Sequence, residues 1–456
     1  MGVFSMLFAN RIYNYEEAFG AIDCTSDLMK TAIQDWYDLY FNRYENESED
    51  PSQRLAYTIV NKLTKTVFSE YKASTSNDFG KKIISALDLM QKKAMQHALI
   101  SGECYLKPIP YGDSFFFTVM GRNNVLVFGR NIDGNPIDIG TTETTKTSEY
   151  YYNLLERRTI GQDGKLTIKN DLYRSESKDY LGIWVPLKTL KKYENLPDIY
   201  TSPTPINSLG LVPIRTPMEN CVDGGMDAVS VYAAAAGLIH LININEHQIN
   251  GEFERGESRI ITSDDLLKKG RNGRRQLKDH IFVGLDDDIE NVGITIFSPE
   301  FRERSYLARK KEYLRNIESV IGIKRGLLSE VETVERTAKE ITSSEGDYSL
   351  TIIDFQQMWE KAVKDTLVLC GQLGELYKIP GATQIADNQI LIDWGNGVLY
   401  DKDKERAEIM QWISAGLLKP EIGLAWMLKL PWETPKDLVT IREKYMPEIQ
   451  ELTEGE

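Results

Sequence analysis

The sequence of 456 residues predicts an α+β protein in which long helices flank a β-rich region. Apolar residues recur at helical spacing through most of the first 100 residues and again within Pro299–Gly381. Within Gly102–Pro213, short β-prone runs alternate with turn dipeptides such as Asp133-Gly134. A chain of this length is sufficient for two to four domains, each with its own core.

The composition argues against some classes of protein. A formal net charge of −14 disfavours a free-standing nucleic-acid binder that wraps phosphates with a basic surface, but it allows a channel through which DNA slides without adhering. No run of 18 apolar residues occurs, so we expect no membrane span. The four cysteines are widely spaced and include no Cys-x-x-Cys pair, which indicates buried free thiols in a reducing compartment.

The first 100 residues are predicted to be mostly helical. The segments Tyr15–Tyr44, Arg54–Tyr71 and Lys82–Leu99 each place apolar side chains on one helical face, as Leu55 and Ile59 illustrate. We interpret these faces as core, and no residue among them suggests catalysis.

The region from Gly102 to about Pro213 is predicted to be an antiparallel β domain, either a small barrel or a sandwich. Its predicted strands are Cys104–Ile109, Ser114–Met120, Asn124–Phe128, Tyr150–Leu155, Lys165–Ile168 and Gly182–Pro186. The tyrosine run Tyr150–Tyr152 has two interpretations, packing within the sheet or stacking on nucleic-acid bases, and its alternation between strand faces favours packing.

A helix is predicted from Met226 to about Phe253, after the proline-rich segment Thr201–Asn220. Its run Ala233–Ala236 is small enough for a second helix to approach closely. The same alanines fit an ordinary buried helix equally well.

A charged segment, Arg255–Phe297, follows this helix. Ile260-Ile261, Ile281–Val283 and Ile294–Ile296 are predicted to be short strands. A basic cluster between them is followed at once by an acidic patch, and alternating signs suit protein contacts around a ring of identical subunits. Contact with DNA phosphates and an exposed loop without a specific role are the alternatives.

Two long helices joined by a short loop are predicted within Pro299–Gly381, with Gly322 and Gly326 interrupting the helical pattern. The first helix places four apolar residues on one face: Leu307, Leu314, Ile317 and Ile321. The second helix is roughly 40 residues and about 60 Å long, and it ends at Pro380-Gly381. A helix of that length requires neighbours along its whole length, from this chain or from copies of it.

The C-terminal residues 382–456 are predicted to contain one strand and two helices. The strand is Ile390–Trp394, the first helix is Lys402–Trp412, and the second runs from Pro420 to about Leu430.

Catalytic motifs are missing from the sequence, so we expect a protein that is not an enzyme. It contains no phosphate-binding Gly-x-x-x-x-Gly-Lys-Ser/Thr loop, no His-Glu-x-x-His and no Gly-x-Ser-x-Gly. His240 and His247 are two helical turns apart but lack further ligands at zinc spacing. The run Asp286–Asp288 could ligate a hard cation, but it is more typical of a solvated acidic loop, and we expect neither a metal nor a cofactor.

Residues 322–341 read GIKRGLLSEVETVERTAKEI, and the final ERTAKEI resembles the start of the long helix that follows the tunnel loop in portal proteins of tailed bacteriophages. The predicted order of helix, clip, helix, tunnel loop and long helix is similar to siphophage-type portals of phages of Gram-positive hosts. The resemblance implies a portal fold with long stem and wing helices, a β-rich wing subdomain and a small α/β clip.

The resemblance also implies a division of the chain into eight parts. These are residues 1–100, the N-terminal helical part of the wing; 101–222, the β-rich wing; 223–254, the first stem helix; 255–298, the clip; 299–322, the second stem helix; 323–335, the tunnel loop; 336–381, the long wing helix; and 382–456, a crown-like region.

The function that the resemblance implies is a homo-oligomeric ring of twelve subunits at one capsid vertex, assembled in the bacterial host cytoplasm. Double-stranded DNA would pass through it during packaging and ejection without sequence recognition. The implied protein partners are the terminase large subunit, head-tail adaptor or neck proteins, and the major capsid and scaffolding proteins. The alternatives are another ring-forming phage head or neck protein, or an intracellular α+β enzyme without a recognisable motif.

Three groups of residues carry the implied roles. The tunnel loop includes Lys324, Arg325, Gly326, Leu327, Leu328, Ser329, Glu330 and Glu332, although an ordinary helix connector is the alternative. The partner-binding clip includes Lys268, Lys269, Arg271, Arg274, Arg275, Lys278, Asp286, Asp287 and Asp288. The stem channel includes Arg302, Arg309, Lys310 and Arg315.

Overall fold

The structure is a computed structural model. It describes residues 15–42, 52–178, 180–255, 259–262, 267–269, 275–277, 294–297, 302–329, 338–395, 402–428 and 435–446. The helices are α1 (Asp27–Phe41), α2 (Leu55–Val67), α3 (Asp78–Asp88), α4 (Gln91–Ser101), α5 (Ala236–Arg255), α6 (Glu303–Ile321), α7 (Ala338–Leu376), α8 (Lys402–Ser414), α9 (Pro420–Leu428) and α10 (Pro435–Tyr445).

The strands are β1 (Lys72–Thr75), β2 (Glu103–Tyr111), β3 (Ser114–Gly121), β4 (Val125–Arg130), β5 (Pro136–Lys146), β6 (Tyr151–Ile160), β7 (Leu166–Ser175), β8 (Ile183–Val185), β9 (Ile199–Thr201), β10 (Val212–Arg215), β11 (Arg259–Thr262), β12 (Leu267–Lys269), β13 (Arg275–Leu277), β14 (Ile294–Phe297) and β15 (Ile390–Asp393). Helix and strand are both abundant, which confirms the predicted α+β class. Among the described residues, no helix is both long enough and apolar enough to cross a membrane.

The main core joins the N-terminal helices to the long helix α7. Ile59 and Leu63 of α2 are fully buried in the same apolar cluster as Ile352 and Trp359 of α7. The indole of Trp359 meets the Phe68 ring edge-on, with 5.4 Å between the ring centroids. The C-terminal half of α7 therefore has its neighbours within this chain.

The N-terminal and C-terminal parts of the chain also share a sheet. Strand β15 pairs antiparallel with β1, from Lys72 opposite Asp393 to Thr75 opposite Ile390. Helix α7 ends at Leu376, before the predicted Pro380 stop, because the N–H of Ile379 returns to the carbonyl of Gly374 (2.8 Å). The helices α8 and α9 lie where they were predicted, whereas α10, which begins at Pro435, was not predicted.

The β-rich region consists of two antiparallel sheets, ordered β10-β2-β3 and β4-β5-β6-β7-β8, with β9 paired to β7. Tyr105 of β2 is buried against Val127 of β4 and Ile139 of β5, so side chains from both sheets meet in one apolar cluster. Of the tyrosine run, Tyr152 is buried beside Leu172, which fits the packing interpretation for that residue.

Strand β5 was missed in the sequence analysis. Its second half, residues 140–146, reads GTTETTK and has neither an apolar alternation nor aromatic residues. It is nevertheless a paired strand, because β4 and β6 bond to its two edges. Threonine fits a pleated surface of this kind once neighbouring strands are present.

The helix predicted from Met226 begins ten residues later, at Ala236, after a 3₁₀ turn at Ala233–Ala235. The preceding segment is tied by tertiary hydrogen bonds. The N–H of Val231 and the hydroxyl of Ser230 both donate to the Leu99 carbonyl at the end of α4 (3.0 and 3.1 Å). The Val231 N–H is therefore not available to the backbone ladder of a helix.

Candidate functional site

The helices α5 and α6 pack side by side as an antiparallel pair. Contacts run in opposite directions along the two helices, from Arg302 with Glu252 to Lys310 with Glu246 (Nζ to Oε2, 2.9 Å). Between them, the side-chain amide of Asn245 donates to the Tyr306 carbonyl (3.3 Å). The chain thus runs in one direction along α5 and in the opposite direction along α6.

The four residues predicted for the stem channel differ in their surroundings. The Lys310 ammonium is held by Glu246 and also donates to the amide oxygen of Gln53 (3.1 Å), so its charge is largely matched. Arg302 is exposed and paired with Glu252, whereas Arg315 is half-buried.

Arg309 lies on the exposed side of α6, and its guanidinium stacks 4.3 Å from the centroid of the Tyr313 ring. A groove of about 460 Å³ between α5 and α6 is lined in part by Arg302, Arg309 and the exposed Ile244. Arg302 and Arg309 therefore place two exposed guanidinium groups at the border of this groove.

At the far end of the helix pair, the described part of the predicted clip consists of strands. The pairs β11–β14 and β12–β13 are both antiparallel. Lys268, Lys269 and Arg275 lie in the paired strands β12 and β13, with Lys269 opposite Arg275. Six further predicted clip residues and one predicted strand lie outside the described residues: Arg271, Arg274, Lys278, Asp286, Asp287, Asp288 and Ile281–Val283.

The loop after α6 begins with a left-handed glycine. Gly322 has φ +75°, and its N–H and that of Ile323 (3.0 Å) both donate to the carbonyl of Glu318. Ile323 is buried at 5% exposure, whereas Lys324 and Arg325, which follow it, are exposed. The chain then turns back at Gly326, which has φ +90°.

The second half of this turn is bound to the Glu318 carboxylate, which is completely buried. Oε1 accepts from the N–H groups of Gly326 (3.1 Å), Leu328 (2.6 Å) and Ser329 (2.9 Å). Oε2 accepts from the Ser329 hydroxyl at 2.7 Å. We call residues 322–329, as held by Glu318, the anchored turn.

The anchored turn also rests on the rest of the protein. Leu327 and Leu328 pack against the main core, and Lys62 of α2 donates to the Leu327 carbonyl. This first part of the predicted tunnel loop is therefore a folded turn with a two-residue basic tip, not a freely projecting arm. Glu330 and Glu332, which were also assigned to the loop, lie outside the described residues.

The role of Glu318 was missed in the sequence analysis. A signal was present. A glutamate in the last turn of a helix is disfavoured by the negative end of the helix dipole, so its occurrence there indicates specific donors.

A buried ionic network ties the segment before α5 to the β-rich region. Glu103 accepts from both terminal nitrogens of Arg130 (2.9 and 3.3 Å), and Asp227 accepts from the same guanidinium at 2.7 Å. Arg122 lies 3.7 Å from Glu103 and 3.4 Å from Asp227. Burial by itself would raise the pKa of Glu103, but Arg130, Arg122 and Arg215 outweigh it and lower that pKa below its ordinary value.

The histidines of α5 do not form a metal site with each other. His240 near the start of α5 pairs with Asp35 of α1 (2.9 Å) and not with His247. Within the parts of the chain that the structure describes, no three His, Cys, Asp or Glu side chains are grouped so that they could hold a metal ion.

Comparisons with known proteins give a limited result. No protein-family model and no curated protein sequence matches the chain. Among solved structures, "Neck of native GTA particle computed with C12 symmetry" is similar at 14% identity, covering 93% of this chain and 99% of its own, with a TM-score of 0.45. "Neck of empty GTA particle computed with C6 symmetry" is similar at 15% identity, covering 92% and 98%, with a TM-score of 0.44. Scores below 0.5 do not establish a common fold.

Proposed function

We propose that this chain is the subunit of a phage portal, a homo-oligomeric ring at one capsid vertex through which double-stranded DNA is packaged and later ejected. The ring performs no chemistry of its own. It provides the bore, the surface that the DNA slides past, and the docking face for the terminase motor and, afterwards, for neck proteins.

The observation that carries the proposal is the order of elements around the antiparallel pair. Helix α5 leads to the strand pairs β11–β14 and β12–β13, which we call the strand unit. Helix α6 returns from it, the anchored turn follows, and the 39-residue helix α7 comes after that. The portal resemblance of residues 322–341 implies this order of stem helix, clip, stem helix, tunnel loop and wing helix. The anchored turn and the strand unit therefore lie at opposite ends of the helix pair, as a channel with a docking end requires.

Charge supports the passage of DNA without tight binding. The chain carries a net charge of −14, and twelve copies would carry about −170, which limits adhesion of phosphates to most of the ring. Exposed cations are found where the proposal needs them, at Arg309 of α6 and at Lys324 and Arg325 of the anchored turn. Contacts of this kind are independent of base sequence and weaken with salt.

The strand unit is proposed as the docking site for partner proteins. Its basic residues on β12 and β13, and the acidic run Asp286–Asp288 that follows in the sequence, offer charges of both signs. Complementary charges set the orientation and rate of association more than they set the affinity. Terminase and neck proteins could therefore use this surface in turn, one replacing the other.

Electron microscopy and mass measurement of the purified chain test the proposal. A dodecamer of the 52.0 kDa subunit has a mass of about 620 kDa and should show a central hole wide enough for duplex DNA. An enzyme would usually give a monomer or a small oligomer. Monomer at every salt concentration, with no rings in micrographs, would contradict the proposal. A ring that assembles on neck components but never supports DNA packaging would favour another head or neck protein.

A further inference from the structure

We infer that Glu318 is a positioning residue that holds Lys324 and Arg325 at the tip of a fixed turn. The position of the two cations follows from the geometry alone. Their contact with DNA rests on the proposed function.

The first step is that one residue binds the chain on both sides of the tip. Before the tip, the Glu318 carbonyl accepts from the N–H groups of Gly322 and Ile323. After the tip, its carboxylate accepts from Gly326, Leu328 and Ser329. Only Lys324 and Arg325 separate these two sets of hydrogen bonds.

The second step is the nature of the carboxylate site. Glu318 is completely buried, and the four donors around its two oxygens replace the water that a carboxylate would otherwise bind. Hydrogen bonds to a charged acceptor are about twice as strong as neutral ones. The N–H groups of Gly326, Leu328 and Ser329 converge on one oxygen and form a binding site for an anion, and the protein fills that site with its own side chain.

The third step is that the neighbouring helices support the turn without replacing Glu318. Lys62 of α2 donates to the Leu327 carbonyl, and the Thr351 hydroxyl of α7 donates to the Gly322 carbonyl (3.1 Å). Both neighbours act on carbonyl groups. Among the hydrogen bonds of the described residues, the N–H groups of Gly326, Leu328 and Ser329 are paired with Glu318.

The consequence concerns how the two cations are presented. A loose loop would lose conformational entropy each time it met a phosphate, which weakens the contact and makes its position variable. A turn that is already ordered presents its charges at one height in every subunit. In a ring, this gives a narrow girdle of positive charge instead of a diffuse one.

The decisive variant is Glu318→Gln, which keeps the size of the side chain but removes its charge and turns an NH₂ group toward N–H donors. Glu312→Gln, an exposed position on the same helix, is the matched control. Hydrogen exchange should become about tenfold faster or more at the amides of Gly326, Leu328 and Ser329 in Glu318→Gln and stay unchanged in the control. Trypsin should cleave after Lys324 and Arg325 faster for the same reason.

Ser329→Ala provides a second variant in case Glu318→Gln does not fold. It removes only the hydroxyl bond to Oε2, so we expect a smaller increase in exchange at Leu328 and Ser329. Parental exchange and cleavage in both folded variants would overturn the inference. These measurements need no ring, so their failure is distinguishable from failure of the portal proposal.

The link to DNA is tested by packaged DNA per particle. The double variant Lys324→Ala with Arg325→Ala should reduce it, Glu318→Gln should reduce it in the same direction, and Glu312→Gln should not. A loosened turn in Glu318→Gln together with parental packaging, while the double alanine variant is impaired, would refute the positioning role. Parental packaging in the double alanine variant would show that the tip does not act on DNA.

Discussion

Replacing Glu103 by glutamine should be among the most destabilising substitutions in this chain that remove one charge without changing the size of the side chain. The Glu103 side chain is 1% exposed, and three guanidinium groups surround it: Arg130 at 2.9 Å, Arg215 at 3.5 Å and Arg122 at 3.7 Å. Glutamine is isosteric, so packing is retained while the negative charge is lost. Asp227 would then remain as the other acidic partner in the described network of these arginines.

The expected loss of unfolding free energy follows from the buried arginine charges that Glu103 no longer compensates. Removing one partner of a buried ion pair costs about 3–5 kcal/mol, because the opposite charge stays buried without compensation. An unfolding entropy of about 2.1 cal/mol/K per residue gives roughly 1 kcal/mol/K if the whole chain unfolds together. The midpoint of thermal unfolding should therefore fall by about 3–5 °C, and by more if a smaller part of the chain unfolds as a unit.

The assay is thermal or urea unfolding at neutral pH, with the exposed Glu219→Gln as the matched control. The control removes the same charge from the surface and should change the unfolding free energy by less than about 0.5 kcal/mol. If the unfolding free energy of Glu103→Gln differs from that of the parent by less than about 0.5 kcal/mol, the network does not stabilise the fold and the reasoning fails.

Three further predictions concern pH and the strand unit. Burial by itself would raise the pKa of Glu156, but Arg158 and Lys107 outweigh it and hold that pKa at about 2. The stabilisation from Glu156 is therefore fully present above about pH 4.5 and is lost as pH falls toward 2, so the stability deficit of Glu156→Gln should shrink over that range. The hydrogen bond to Asp35 raises the pKa of His240, so this pair stabilises the fold below about pH 6.5 and loses its effect as pH rises through the raised pKa. The stability deficit of His240→Gln should therefore shrink as pH rises, and a deficit that does not change with pH would contradict this role of the pair. Replacing three basic residues of the predicted clip, Arg271, Arg274 and Arg275, together by glutamate should leave ring mass unchanged while weakening terminase or neck attachment in a pull-down. Unchanged attachment would remove the docking role.

The spacing of apolar residues was sufficient to predict those strands and helices whose formation depends on one apolar face. The β-branched runs Ile260-Ile261 and Ile294–Ile296 were predicted to be strands and do form the paired strands β11 and β14. A long second helix was predicted to need neighbours along its length, and within α7 the apolar side chains of Ile352 and Leu373 are buried. In both cases the element has an apolar face that other elements of the fold must cover.

Long-range hydrogen bonds account for what the sequence did not show. The start of α5 was placed ten residues early because the Leu99 carbonyl that holds Ser230 and Val231 is about 130 residues away in the chain. Tertiary partners of this kind are set by the fold and not by neighbouring residues. The anchored turn is a different case, because Glu318 precedes its backbone donors by only 8 to 11 residues and was overlooked although its place in the last helical turn was a signal.

The pairing of charges on α6 bears on how firmly a channel could grip DNA. Four cations of this helix were expected to face the bore, but the Lys310 ammonium is matched by Glu246, and Arg302 is paired with Glu252. An ammonium already bound to a carboxylate has little to gain from a phosphate, because the new contact must replace the old one. Phosphate contacts would therefore have to come from other cations as well, such as Arg309 of α6 and Arg325 at the tip of the anchored turn. Few phosphate contacts per subunit mean a shallow salt dependence and a small barrier to sliding, which suits a channel that must pass a genome in both directions.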